Sequence, residues 1–249
     1  MLAGLNEILQ YAEKSGFAVP AFNVYNMETV MGVLHAAEEA GSPVILQSYS
    51  RLFTNEEGYF VSPIILAAAQ KASVPICFHL DHGAGETEVL RALRYGATGI
   101  MIDKSSLPFE ENMRETKKIV GMCHAVGVAV EGELGHIGSV NDAEMQEFTR
   151  VDEAEQYMEE TGVCALAVLV GTAHGIKKRR NWISKELPIF IKSEKHIWYC
   201  TAEAASPMIR SARPYKPVSA RSISAPTFVI RFWIRCLKPR AIKSPSICL

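Results

Sequence analysis

The sequence predicts a sequential α/β barrel, six of whose strands are legible, and three observations carry the prediction. Short β-branched runs alternate with amphipathic stretches of helical period, the pattern of βα units around a parallel sheet. The runs end in polar or glycine-rich loops, as the working rim of such a barrel does. At 249 residues and 48% hydrophobic content, the chain can enclose one large core, and α/β barrels occupy this length as single domains.

Taken in order, an amphipathic segment at Asn6–Lys14 leads into a first strand at Ala18–Val24, whose polar end is Asn23. Helix Met27–Ala40 follows, then strand Pro43–Gln47 with the polar loop Ser48, Tyr49 and Ser50 behind it. Helix Tyr59–Ala72 precedes strand Val74–Leu80, which delivers Asp81 and His82. Helix Glu86–Tyr95 and strand Thr98–Ile102 lead to Asp103. Helix Glu110–Val126 and strand Val128–Glu133 end on Glu133, and helix Asp152–Glu160 is followed by strand Cys164–Val170, beyond which lies His174. Polar clusters thus stand at the ends of these strands, where the loops of such a barrel converge.

The chain then changes character. Residues 1–176 hold 10 Lys/Arg against 24 Asp/Glu, whereas residues 177–249 hold 16 against 3, and all 17 glycines lie at or before Gly175. About five glycines are expected in a globular stretch as long as the tail. Two segments follow: a barrel segment at 1–176 and an atypical basic tail at 177–249. The formal net charge of −1 favours no polyanionic partner. Six cysteines without a C-x-x-C pair, and an N-terminus without a basic region and a long apolar run, predict a reducing, cytoplasmic setting.

HLDHG places an acid beside a histidine at one strand end, and GTAHG places another histidine at a different one. Two imidazoles with a third nitrogen or oxygen ligand make an open metal site that accepts a substrate oxygen. A neighbouring carboxylate off the metal can then move protons. His79, two residues before Asp81, reads as a hydrogen-bonded structural residue. Glu131 and Glu133 alternate and share one strand face, so only one of them is needed for function.

PAFNVYN, FHLDHG, GIMIDKSS, VEGELGHIG and TGVCALAVLVGTAHG, in this order and spacing, resemble the zinc-dependent class II fructose-bisphosphate aldolases and their tagatose-bisphosphate relatives. The resemblance covers residues 1–176 and implies a TIM (β/α)8 barrel. It implies Asp81 as the acid/base that handles the C4 hydroxyl proton, and His82 and His174 as zinc ligands. Asp103 and Glu133 match positions of a second or alternative metal site. Asn23, Ser50 and the Gly175 backbone would hold substrate. The reaction implied is reversible cleavage of fructose 1,6-bisphosphate to dihydroxyacetone phosphate and glyceraldehyde 3-phosphate, with tagatose 1,6-bisphosphate as the alternative substrate. Cleavage leaves an enediolate, and a bound Zn2+ would stabilise that anion as it develops. A second divalent metal, a monovalent cation and a dimeric or tetrameric state are further implications of the family.

Two departures stand against this. The loop after ELG reads GSVND, so Asn141 occupies the place of a glutamate credited with proton transfer on the triose, and an amide cannot accept that proton. Secondly, the family's H-G-G-S-G and N-I-S-T-D, which close strands seven and eight, are absent after Gly175. They are compatible with the gene read in another frame, taking the third base of each codon with the first two of the next. Asn181-Trp182-Ile183 then forces Leu-Asp, Trp198-Tyr199-Cys200 forces Val-Leu, and the runs Cys200–Ala205 and Arg221–Phe228 permit the two missing motifs. A one-base slip between the codons of His174 and Asn181 accounts for the glycine loss and the basic tail together.

On this reading strands seven and eight are lost or garbled. The edges of the first and sixth strands are left unpaired and prone to aggregation, and the literal polypeptide folds poorly with little activity. A decayed, catalytically inactive remnant is the competing reading. A nucleic-acid or membrane role for the tail is disfavoured: its charges are dispersed among Pro, Ser and apolar residues, and RFWIR is too short to span or lie stably on a bilayer.

Overall fold

The computed structural model describes residues 1–15, 17–135, 149–168, 198–200 and 230–234. It contains α1 (Leu5–Ser15), β1 (Val19–Asn23), α2 (Met27–Ala40), β2 (Val44–Tyr49), α3 (Arg51–Thr54), α4 (Glu57–Lys71) and β3 (Ile76–Gly83). Then come α5 (Glu86–Arg94), β4 (Gly99–Ile102), α6 (Phe109–His124), β5 (Ala129–Leu134), α7 (Val151–Thr161), β6 (Ala165–Val168), β7 (Trp198–Cys200) and β8 (Ile230–Ile234). Strands β1 to β6 pair in parallel in sequence order, so the rotation of strand and helix read from the sequence is present. The short α3 is an addition to that reading, and β3 runs on through Asp81 and His82 instead of stopping before them.

The expectation of open edges at β1 and β6 is corrected. Strand β7 pairs in parallel with β6, and β8 closes the ring by pairing antiparallel with both β7 and β1. The six parallel strands β1 to β6 are those of a TIM-like α/β fold, and β8 departs from the all-parallel pattern in running antiparallel to both of its neighbours. An unpaired edge leaves backbone N–H and C=O groups without partners, and short β-competent runs such as WYC and IRFWI can supply them in either direction. Strand β7 falls where the shifted reading gives Val-Leu ahead of H-G-G-S-G.

Alternation along each strand sorts side chains between two cores. Outward residues such as Val44, Leu46, Ile76, Phe78, Leu80, Ile100 and Ile102 pack under the helices. Inward Val19, Ala21, Ile45, Cys77, Met101, Ala165 and Ala167 meet Leu5, Ile8, Leu9 and Ala12 of α1. Helix α1 lies at the strand starts, where the Leu5 N–H donates to Thr98 O and the Ala3 N–H to Ile76 O. It plugs that end of the barrel. Full burial of Leu5, Ile8 and Leu9 contributes roughly 1.5–3 kcal/mol each, and this leaves the opposite end for chemistry.

Near that opposite end, β3 shifts register against β4 between Leu80 and Gly83, and His82 adopts φ 50, a conformation non-glycine residues rarely hold. Gly83 makes the irregularity possible, since a Cβ there would sit 2.7 Å from Met101 O and 3.0 Å from Leu80 Cδ2. Gly83→Ala is expected to push β3 from β4 and destabilise the fold by about 1–3 kcal/mol. Urea unfolding of the two proteins measures this, and equal midpoints would refute it.

Candidate active site

The carboxyl ends of β3, β4 and β5 bring together an imidazole and two carboxylates. His82 Nδ1 lies 2.7 Å from Asp103 Oδ2 and 3.6 Å from Glu133 Oε2. Among the described residues this is the group able to hold a metal ion, its three ligand atoms all lying within 4.8 Å of one another. One nitrogen and two carboxylate oxygens suit a divalent cation such as Zn2+. Glu133 is buried, while the His82 and Asp103 side chains are 18% and 25% exposed, so the cluster opens toward solvent on one side.

Each member is held by its own element. Asp103 follows β4 with its N–H donating to Gly83 O, and its Oδ1 accepts from the Ser105 N–H and hydroxyl at 3.0 and 2.7 Å. Burial alone would raise the Asp103 pKa, but the hydrogen bond and charge of His82, with the Ser105 bonds, bring it well below the usual carboxylate range. Asp103 therefore stays ionised across the neutral range, as a metal ligand must. Glu133 is steadied from the outer face of β5: Asn112 Nδ2 donates to Glu133 O at 2.9 Å. Asn112 in turn shares a fully buried network with Tyr157 and Thr116, the Tyr157 hydroxyl lying 2.8 Å from Asn112 Oδ1 and from Thr116 Oγ1.

Asp81 stands beside this cluster, 2% exposed. Asn23 Nδ2 donates to its Oδ2 at 2.7 Å, and Gln47 Nε2 reaches its Oδ1 at 3.4 Å. Both amides belong to inward positions of β1 and β2 and hold the carboxylate from two sides. Gln47 was not singled out in the sequence, although its alternation with inward Ile45 marked it as a polar residue inside a barrel. Ser50, proposed as a substrate contact, sits at the start of α3 with its N–H donating to Asp81 O at 2.8 Å. His174, Gly175 and Asn141 lie outside the described residues.

One layer below, His79 and Glu131 are both fully buried, with Nε2 and Oε2 3.4 Å apart. His79 lies against Glu131 and apart from the metal-holding group, and of the two alternating glutamates it is Glu133 that joins that group. Gly99 on β4 clears the way, because a Cβ there would come 2.7 Å from His79 Cδ2. Cys77, Cys123 and Cys164 are free thiols. Burial pushes Cys77 and Cys164 up to about 12 and Cys123 to about 11, which keeps them protonated and unreactive. Among the described residues no helix is long and apolar enough to cross a membrane.

The profile of the family described as fructose-bisphosphate aldolase class-II matches residues 3–197, past the point at which the sequence motifs stop. A fructose-bisphosphate aldolase of Thermus caldophilus is 45% identical over 183 residues, 72% of this chain and 59% of that protein. One from Giardia intestinalis is 40% identical over 180 residues, 71% of this chain and 56% of that protein. The chain therefore spans less than two thirds of the length of these relatives. Among solved structures, the YdjI aldolase from Escherichia coli K12 superposes with a TM-score of 0.72 at 33% identity, covering 80% of this chain and 72% of that one. Fructose-bisphosphate aldolase from Campylobacter jejuni gives 0.59 at 26% identity, covering 72% and 61%. Families of this class generally employ a divalent metal, for which the His82, Asp103 and Glu133 donors are suited. With the motif order, the parallel strands and the position of the cluster, this profile match shows that the chain belongs to the class II fructose-bisphosphate aldolase family.

Proposed function

We propose that this chain carries the site of a zinc-dependent ketose-bisphosphate aldolase, cleaving fructose 1,6-bisphosphate to dihydroxyacetone phosphate and glyceraldehyde 3-phosphate. The observation that supports it is the placing of Asp81, clamped by Asn23 and Gln47, beside His82, Asp103 and Glu133 at the carboxyl ends of neighbouring strands. A bound Zn2+ would supply Lewis acidity toward the carbonyl and hydroxyl oxygens of the sugar. His82, with His174, would hold the ion, Asp103 and Glu133 offering a second or alternative position. Asp81 takes the C4 hydroxyl proton on a carboxylate oxygen and returns it in the condensation direction. Asn23 and Gln47 keep that carboxylate aimed. Ser50 and the Gly175 backbone would contact substrate, and tagatose 1,6-bisphosphate is the alternative at C4. Dimers or tetramers, a cytoplasmic setting and a monovalent cation requirement go with the same proposal.

We further propose the two-segment division, 1–176 and 177–249, with the tail arising from a slip in the frame. Sequencing the gene across the codons from Gly171 to Trp198 tests it directly: one base gained or lost is expected, and an unchanged frame would overturn it. A second reading, an inactive remnant, is favoured by Asn141 and by the antiparallel β8. The two separate in an assay of the chain as written beside a frame-restored version. The restored protein is expected to cleave fructose 1,6-bisphosphate, to lose activity to a chelator and to regain it with Zn2+. The literal chain is expected to turn over at least about 10²-fold more slowly, having lost groups that stabilise developing charge. A restored protein without zinc-dependent cleavage would sink the aldolase proposal.

A further inference from the structure

We infer that Tyr49 is a positioning residue for the His82 imidazole, an aromatic buttress at the mouth of the metal site. This rests on the reading of His82, Asp103 and Glu133 as metal-holding groups. Inward positions on β2 alternate through Ile45 and Gln47 to Tyr49, and the register sets Tyr49 opposite Asp81. The first two are buried inside the barrel, whereas Tyr49, one layer nearer the rim, is 41% exposed. Its ring meets that of His82 edge-on, with centroids 6.2 Å apart and planes at 70°, within the range of favourable aromatic pairs.

The backbone explains why such a support is needed. In a regular strand the pleat fixes the direction of each side chain. His82 lies inside the register shift between Leu80 and Gly83 and has φ 50, so the pleat does not aim its ring. Direction comes from contacts instead: the Asp103 and Glu133 carboxylates at Nδ1, and the Tyr49 ring against the imidazole. A tyrosine suits the task because its two side-chain torsions cost little entropy to hold. The contact needs the ring and not the hydroxyl. Tyr49→Phe therefore preserves it and Tyr49→Ala removes it, and the exposure of Tyr49 means that neither change opens a cavity in the core.

The test uses the full chain and two readouts. Cobalt(II) titration, followed by its visible absorption, measures affinity and ligand geometry. In the metal-free protein, NMR couplings and ring-current shifts of His82 report its rotamer. Tyr49→Ala is expected to weaken cobalt binding roughly three- to tenfold, the size of one aromatic pair, to alter the absorption envelope and to average the His82 rotamer. Tyr49→Phe is expected to match the parent in all three, and thermal unfolding is expected to be unchanged in both. A Tyr49→Ala protein with a single parental His82 rotamer overturns the inference, whatever the metal does. A parent that binds no cobalt but shows the Tyr49-dependent rotamer overturns the metal reading and leaves the positioning role standing.

Discussion

Asp81→Asn is expected to lower the turnover of fructose 1,6-bisphosphate by about 10²–10⁴-fold, the usual contribution of a positioned general acid or base. The measurement belongs on the frame-restored protein, with the chain as written beside it. Asparagine is the informative replacement because the site can accommodate it. Asn23 Oδ1 is buried and has no hydrogen-bond partner among the described residues, so a turn of the Asn23 amide offers an acceptor to the new side chain. Fold and metal binding should survive while proton transfer is lost. The expected result is a fall in kcat with zinc content unchanged, since a group acting on the proton in the transition state leaves ground-state binding largely alone. If turnover fell less than about tenfold, Asp81 would not be the proton carrier, and attention would pass to the carboxylates of Asp103 and Glu133.

The largest expected effect on stability comes from the buried pair beneath the site. Removing one partner leaves the polar atoms of the other buried without it, which typically costs about 1–3 kcal/mol, and more where the remaining group is ionised. His79→Leu and Glu131→Leu should each destabilise the protein by that order, against a total stability of roughly 5–15 kcal/mol for a domain. The double substitution should recover much of the loss, because two apolar side chains of suitable volume need no partner. Urea unfolding of the four proteins gives the coupling energy as a double-mutant cycle. Additive losses would show that His79 and Glu131 do not act as a pair, despite their 3.4 Å separation.

What the sequence disclosed was periodic or terminal. Strands β1 to β6 were legible because short β-branched runs alternate with runs of helical period, and the ends of β1, β3, β4 and β5 are where Asn23, Asp81, His82, Asp103 and Glu133 reside. The register shift at His82 left no such trace, since a one-residue irregularity does not disturb a hydrophobic pattern. Nor did α3, whose four residues are too few to show a period. Gln47 was passed over because a polar residue at a strand end looks like the start of a loop until the barrel closes around it.

The sequence by itself determined that this is a six-strand α/β segment joined to a tail of different composition, that Asn23, Asp81, His82, Asp103 and Glu133 stand at strand ends, and which family the motifs resemble. Those properties are local: they depend on which residue type follows which. Only the tertiary structure showed that Glu131 lies against His79 one layer below Glu133, and that Tyr49 lies against the His82 ring. It alone closed the edges of β1 and β6 with strands from the tail, one of them antiparallel. Each of these depends on strands distant in the chain lying side by side, and register and direction of pairing are set by packing around a shared interior, which no single stretch of sequence contains.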